Sequence, residues 1–191
     1  MRMLIMGPPG AGKGTQAGAV AESFGVPAIS TGDIFRANVS QATPLGIVAK
    51  KFLDAGEYAP DDVTNNMVRD RISEPDAAVG FVLDGYPRTE QQVKELDEMI
   101  AFTGGRLDVV VCLTVEQDEL VTRLLGRAAV EGRTDDTEEV IRRRQEVYCA
   151  QTEPLLDIYR RRGQLVEVAG LGDVIEVTER ILVAVTAALA S

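Results

Sequence analysis

The chain is predicted to fold as an α/β domain, a parallel five-stranded sheet flanked by helices, and three observations carry that prediction. A glycine-rich segment, Gly7-Pro8-Pro9-Gly10-Ala11-Gly12-Lys13-Gly14-Thr15, stands between the apolar run Met3-Leu4-Ile5-Met6 and an Ala-rich amphipathic stretch to about Phe24, the order strand, loop, helix. Short apolar runs recur at Met3–Met6, Ala28–Ile29, Val79–Leu83, Val109–Val115 and Leu165–Val168, separated by segments of helical period, the pattern of parallel strands covered on both faces. Capping-box spacings, a hydroxyl or Asp followed three residues later by Glu or Gln, mark helix starts at Thr89–Gln92, Thr114–Gln117 and Asp173–Glu176.

Each element then has its own reading. In the first loop, glycines let successive backbone N–H groups converge on a polyphosphate, the helix N-terminus adds partial positive charge, and Lys13 neutralises terminal phosphates, so a nucleoside triphosphate is the implied ligand. The general pattern G-x-x-x-x-G-K-[ST] is met except that Gly14 stands where the hydroxyl is expected and Thr15 follows one residue later. From Ser30 to about Ser73 runs a mostly helical excursion punctuated by Pro44, Gly56 and Pro60, longer than a simple crossover requires. The third apolar run delivers Asp84 to the C-terminal edge of a strand, where open α/β sheets bind ligands and where a carboxylate can hold magnesium or its water shell; Asp84-Gly85 also reads as a plain turn former. Next come Tyr86, Pro87, which fixes the turn, and Arg88 at the start of a helix. An arginine there is commonly a solvated charge, but set against the helix dipole and beside a magnesium candidate it suits a phosphate grip.

The fourth run carries Cys112 as a buried small hydrophobe. Residues Gly126 to Asp136 interrupt the helices with glycines and acidic turn residues, have no hydrophobic period, and are expected to form a surface loop that can move. The helix after it, roughly Thr137 to Arg162, contains Arg142-Arg143-Arg144 and Pro154, which should kink or break it; a final amphipathic helix spans about Asp173 to Ala190.

With 191 residues, one sizeable core with small excursions is expected. A formal charge of -10 argues against nucleic acid or an anionic membrane as main partner. There is no histidine, and two distant cysteines suggest neither a disulfide nor a zinc framework. The start lacks the regions of a signal peptide and no apolar stretch is long enough for a bilayer, so a soluble, reducing compartment is expected, most simply the cytoplasm.

Gly7 to Thr15, Ser30-Thr31-Gly32-Asp33, Asp84-Gly85-Tyr86-Pro87-Arg88, and Gly126-Arg127 with Arg133-Thr134-Asp135-Asp136 occur in that order, and together the chain closely resembles the adenylate kinases, in their short-lid bacterial form. The resemblance covers essentially the whole length and implies a single P-loop kinase domain. Its core would be 1–29, 60–125 and 137–191, with a mobile arm holding the monophosphate at 30–59 and a lid closing over ATP at 126–136. It implies ATP contacts at Gly10, Ala11, Gly12, Lys13, Gly14, Thr15, Arg123, Arg127 and Gly172. AMP contacts are implied at Thr31, Arg36, the backbone of Glu57, Tyr58 and Ala59, then Gly85, Tyr86, Pro87, Arg88, Gln92, Arg133 and Arg144. Thr31 and Gln92 also read as a helix cap and a capping-box partner.

The same resemblance implies reversible transfer of the γ-phosphoryl of Mg-ATP to AMP, giving two ADP. Lys13, Arg88, Arg133 and Arg144 would carry transition-state charge and Asp84 would orient hydrated magnesium. Arg142 and Arg143 are left as solvated charge. The lid is shorter than the long form and lacks its cysteine cluster, so no zinc is expected; Gly172 stands where long-lid members often carry lysine, which leaves a backbone contact only. The resemblance favours a monomer. Another nucleoside monophosphate kinase, or a GTP-using relative acting on AMP, shares every phosphate contact. A nucleotide-dependent switch is the reading from another class, against which stands the lack of an Asn-Lys-x-Asp guanine-reading motif.

Overall fold

The computed structural model describes residues 1–131 and 137–190, with the side chains of 117, 118 and 127–131 left aside. Among the described residues, five parallel strands form one sheet: β1 (Arg2–Met6), β2 (Ala28–Ser30), β3 (Phe81–Asp84), β4 (Val109–Thr114) and β5 (Leu165–Ala169), in the order β2-β3-β1-β4-β5. The expected fold class is borne out. The central register pairs Ile5 with Asp84 and Met6 with Cys112, so all five parallel strands point their C-terminal ends to one rim, with β4 and β5 running two residues beyond the end of β1.

Alternation along β1 builds the core on both sides. Leu4 and Met6 face one apolar cluster with Leu83, Tyr86, Val93, Leu96 and Tyr159, while Met3 and Ile5 face another with Val20, Val111, Leu113, Ile181 and Val185. Helices α1 (Lys13–Phe24) and α9 (Val174–Leu189) cover the second face. The first is covered by α4 (Asp61–Ile72), α5 (Glu90–Phe102) and α8 (Leu155–Arg161). Between β2 and α4 lie α2 (Thr31–Ser40) and α3 (Pro44–Ala55), which pack closely on each other. Near-continuous apolar strands buried on both faces are what a parallel sheet needs.

Several expected boundaries move. The third strand begins at Phe81, and Val79 lies outside it, 70% exposed, because the ladder opens with the Phe81 amide bonding the Met1 carbonyl. Thr114 is the last residue of β4 and donates its hydroxyl to Val168, so it does not cap the next helix. That helix, α6 (Gln117–Glu131), continues through Gly126 and replaces the first half of the expected 126–136 loop; Arg127 to Glu131 are mostly good helix formers and extend it. Residues 132–136 fall outside the described part. Pro154 does break the helix as expected: α7 (Glu138–Val147) runs into a π turn at Tyr148–Thr152, and α8 follows the proline.

Candidate functional site

The rim formed by the strand ends opens into a cleft of about 600 Å³ that runs from the Gly7–Thr15 loop, past Asp84, to α2 and the segment after α3. Five basic side chains, Lys13, Arg36, Arg88, Arg123 and Arg144, line it against three carboxylates, Asp33, Glu57 and Asp84. In a chain of charge -10, that local excess of cations marks a place for an anion.

At one end, β1 feeds directly into the loop and Lys13 opens α1, with Gly12 before it in the left-handed conformation. The loop is pressed against α6: a Cβ on Gly10 (φ +90°) would come within 2.9 Å of the Leu120 carbonyl oxygen. Lys13 curls over its own loop, Nζ donating to Pro8 O at 2.9 Å, and Gln145 of α7 donates to Pro9 O at 2.9 Å. Gly10, Gly12, Gly14 and Thr15 line the cleft, whereas Ala11 is buried beneath it in the second core cluster. Arg123 is held between Glu119 (2.8 Å) and Gly170 O (3.0 Å). Gly172 lies off the cleft lining, beside Glu176 and Arg180.

Asp84 is buried at the end of β3, 9% exposed, close to the start of α1. Burial pushes its carboxyl above the usual carboxylate range, opposed by the positive charges of Lys13 and Arg88. Its Oδ1 is buried and accepts no hydrogen bond from the protein, an acceptor that suits a cation or its bound water. Among the described residues no three His, Cys, Asp or Glu side chains cluster to hold a metal ion.

The turn after Asp84 organises the other end. Gly85 is left-handed (φ +81°), and Tyr86–Pro87 is a cis peptide. Tyr86, 1% exposed, donates to Asn65 at 2.8 Å, and its hydroxyl is pushed well up by burial. Arg88 Nε donates to Gly85 O at 2.7 Å. The Thr31 hydroxyl also donates to Gly85 O, at 2.9 Å, so the cap of α2 is not Thr31 but Ser30, whose Oγ accepts from the Asp33 amide at 3.3 Å. Arg36 pairs with Asp33 one turn away. Glu57, Tyr58 and Ala59 line the cleft.

Thr89 caps α5 by accepting from the Gln92 amide, but Gln92 does not complete the box on Thr89: its Oε1 accepts from the Arg88 amide at 2.7 Å. Its Nε2 donates to Asp61 at 2.6 Å, and Asp61 also accepts from Thr89 at 2.8 Å. A flipped amide would set oxygen against carboxylate and N–H against N–H, so the orientation of Gln92 is fixed twice over. Arg144 lines the cleft; the Arg127 side chain and Arg133 lie outside the described residues. Arg142 is an exposed partner of Glu138, but Arg143, expected to be plain solvated charge, donates to Glu57 at 2.7 Å and ties α7 to the segment after α3. Asp61, Gln145 and Thr152 also hold the site together, though the sequence alone does not mark them. Their partners lie far off in the sequence, and no local pattern points to them.

A family model described as adenylate kinase matches residues 5–164. The chain belongs to the adenylate kinase family. It is 69% identical over 181 residues to an adenylate kinase of a Nocardioides species, an alignment covering 95% of each chain. It is 60% identical over 183 residues to that of Kocuria rhizophila, covering 96% of this chain and 97% of the relative. It is 58% identical over 190 residues to that of Pseudarthrobacter chlorophenolicus, covering 100% and 99%.

Proposed function

We propose that the chain catalyses reversible transfer of the terminal phosphoryl group of Mg-ATP to AMP, giving two ADP. The observation that carries this reading is the continuity of the cleft: the triphosphate loop and the Arg36–Arg88 end share one cavity with Asp84 between them. In the reaction a phosphate oxygen of AMP bonds to the γ-phosphorus while the bond from that phosphorus to the β–γ bridging oxygen breaks. The attacking oxygen is already ionised near neutral pH, so no general base is needed, which fits a chain without histidine.

The protein's part is to hold two polyanions in line, neutralise the equatorial oxygens and exclude water. Lys13 and the N–H groups of the loop suit the donor phosphates, with Arg123 on the same side; Arg36, Arg88 and Arg144 suit the acceptor and the transferring group. Magnesium arriving with ATP would screen the β and γ oxygens, and the unpartnered Oδ1 of Asp84 is the acceptor that fits its hydration shell. Gln92 keeps an N–H for a base edge, and Thr31, bonded to Gly85 O, lines the same cleft. Arg127 and Arg133 join the donor side and the transferring group by resemblance, as does the backbone of Gly172. The reading includes an arm at 30–59, a lid at 126–136, and a monomer of the cytoplasm. Among the described residues no helix is long and apolar enough to cross a membrane.

A steady-state assay crossing ATP and GTP as donors with AMP, CMP, UMP and GMP as acceptors, with and without magnesium, tests the proposal. ATP with AMP and magnesium is expected to dominate. Faster transfer to CMP or UMP would overturn the acceptor assignment, and nucleotide hydrolysis without transfer would favour a switch.

A further inference from the structure

Three groups from separate parts of the chain meet at Arg88. Thr152, 6% exposed, donates its hydroxyl to the Arg88 carbonyl at 3.0 Å. That hydroxyl has one proton, so the Tyr58 hydroxyl, 2.8 Å away, is the donor in their bond. The relay runs in one direction, from Tyr58 through Thr152 to Arg88. The Tyr58 ring also lies against the guanidinium, with Cζ of Arg88 4.7 Å from the ring centroid.

Arg88 is thus fixed at three points: its carbonyl by Thr152, its Nε by Gly85 O, and one face of its plane by Tyr58. With those committed, an anion has to be gripped through the Nη edge. A guanidinium held in place loses less freedom when a phosphate arrives than one on a free four-bond chain. Thr152 reaches this position through the π turn, in which the Glu153 amide bonds Tyr148 O, five residues back instead of four. Such turns inside helices are frequent at functional sites. Tyr58 lies two residues after Gly56, which caps the C-terminus of α3, and its neighbour Glu57 pairs with Arg143, so the root of the arm is seated on α7 and the π turn when the contact forms.

We propose that Tyr58 and Thr152 are positioning residues that set the Arg88 guanidinium for the acceptor phosphate, coupling the seating of the arm root to acceptor binding. This rests on the reading of Arg88 as an acceptor-side arginine. The test measures kcat and KM for both nucleotides in Tyr58→Leu, Tyr58→Phe, Thr152→Val and Thr152→Ser, alone and in an Arg88→Ala background, with melting curves for each.

Tyr58→Leu removes ring and hydroxyl and is expected to raise KM for AMP about 3- to 30-fold, the range that losing a ring–cation contact and a hydrogen bond implies. KM for ATP should stay within about twofold, since the donor end is untouched. Tyr58→Phe keeps the ring and should fall between; Thr152→Val should resemble it, and Thr152→Ser, which keeps the hydroxyl, should restore the wild-type constant. In the Arg88→Ala background Tyr58→Leu should have no further effect on KM for AMP, since its action passes through Arg88.

An unchanged KM for AMP in Tyr58→Leu would overturn the proposal. So would an equal loss for AMP and ATP, which marks a structural role, or the full loss persisting without Arg88, which marks direct contact with the nucleotide. A wild-type chain unable to phosphorylate AMP would overturn the proposed function and the clamp with it; normal wild-type transfer with unaffected variants would overturn the clamp alone.

Discussion

Replacing Gly85 with alanine strikes the turn on which the proposed acceptor end is built. The residue has φ +81°, and a Cβ there would come within 2.5 Å of the Thr31 hydroxyl oxygen and 3.0 Å of Arg88 Nη2. Left-handed backbone costs an alanine about 1–2 kcal/mol. Pushing the Thr31 hydroxyl off Gly85 O leaves it only its longer contact with Asp84 O at 3.3 Å, a further cost of about 0.5–1.5 kcal/mol. A total near 2.5 kcal/mol corresponds to a fall in Tm of about 5–10 °C for a chain of this size.

Gly104→Ala is the control: it too is left-handed (φ +69°), but a Cβ there meets nothing within 4 Å, so only the backbone cost of about 1–2 kcal/mol applies. The difference between the two variants isolates the contacts with Thr31 and Arg88. Thermal melts read the stability, and initial rates should show KM for AMP raised in Gly85→Ala and unchanged in Gly104→Ala. Equal melting temperatures for the two variants, with unchanged KM for AMP in both, would refute the close approach.

The other expectations concern single groups. Arg88→Ala should lower kcat by about a thousandfold or more with Tm little changed, by analogy with arginines that stabilise transferring phosphoryl groups; near-normal turnover would remove it from the mechanism. Asp61→Ala releases the amide of Gln92, and the preference for AMP over GMP should fall by about tenfold, the worth of one good hydrogen bond; an unchanged ratio of kcat/KM values would exclude the orienting role. Cys112 is 3% exposed and burial pushes its thiol up to about 11, whereas Cys149 is exposed. A chromogenic disulfide reagent at neutral pH should therefore label one thiol per native chain promptly and the second only in denaturant; two prompt thiols would contradict the placement of Cys112.

What was legible beforehand was local in sequence. The strands announced themselves because a parallel strand buried on both faces must be apolar throughout, and the loop between β1 and α1 because its glycines and lysine are contiguous. Asp84 was placed by the end of its apolar run, and it does end β3. Errors arose where a long-range bond outbid a local one. Thr31 reads as a cap, but its hydroxyl is taken by Gly85, 54 residues away, and Ser30 caps instead. Gln92 reads as half of a capping box, but Asp61, 31 residues distant, and the Arg88 amide hold its amide. Gly126 reads as a break, yet the residues around it favour helix enough to carry α6 to Glu131. Tyr58 and Thr152 are 94 residues apart, and nothing in either neighbourhood signals their bond.

The proposed function places both nucleotides in one cleft at once and so predicts direct transfer in a ternary complex, with no phosphorylated enzyme between half-reactions. Initial rates measured with ATP varied at several fixed AMP concentrations test this most directly. Intersecting double-reciprocal lines, with two ADP formed for each ATP consumed, are the expected result; parallel lines would contradict it.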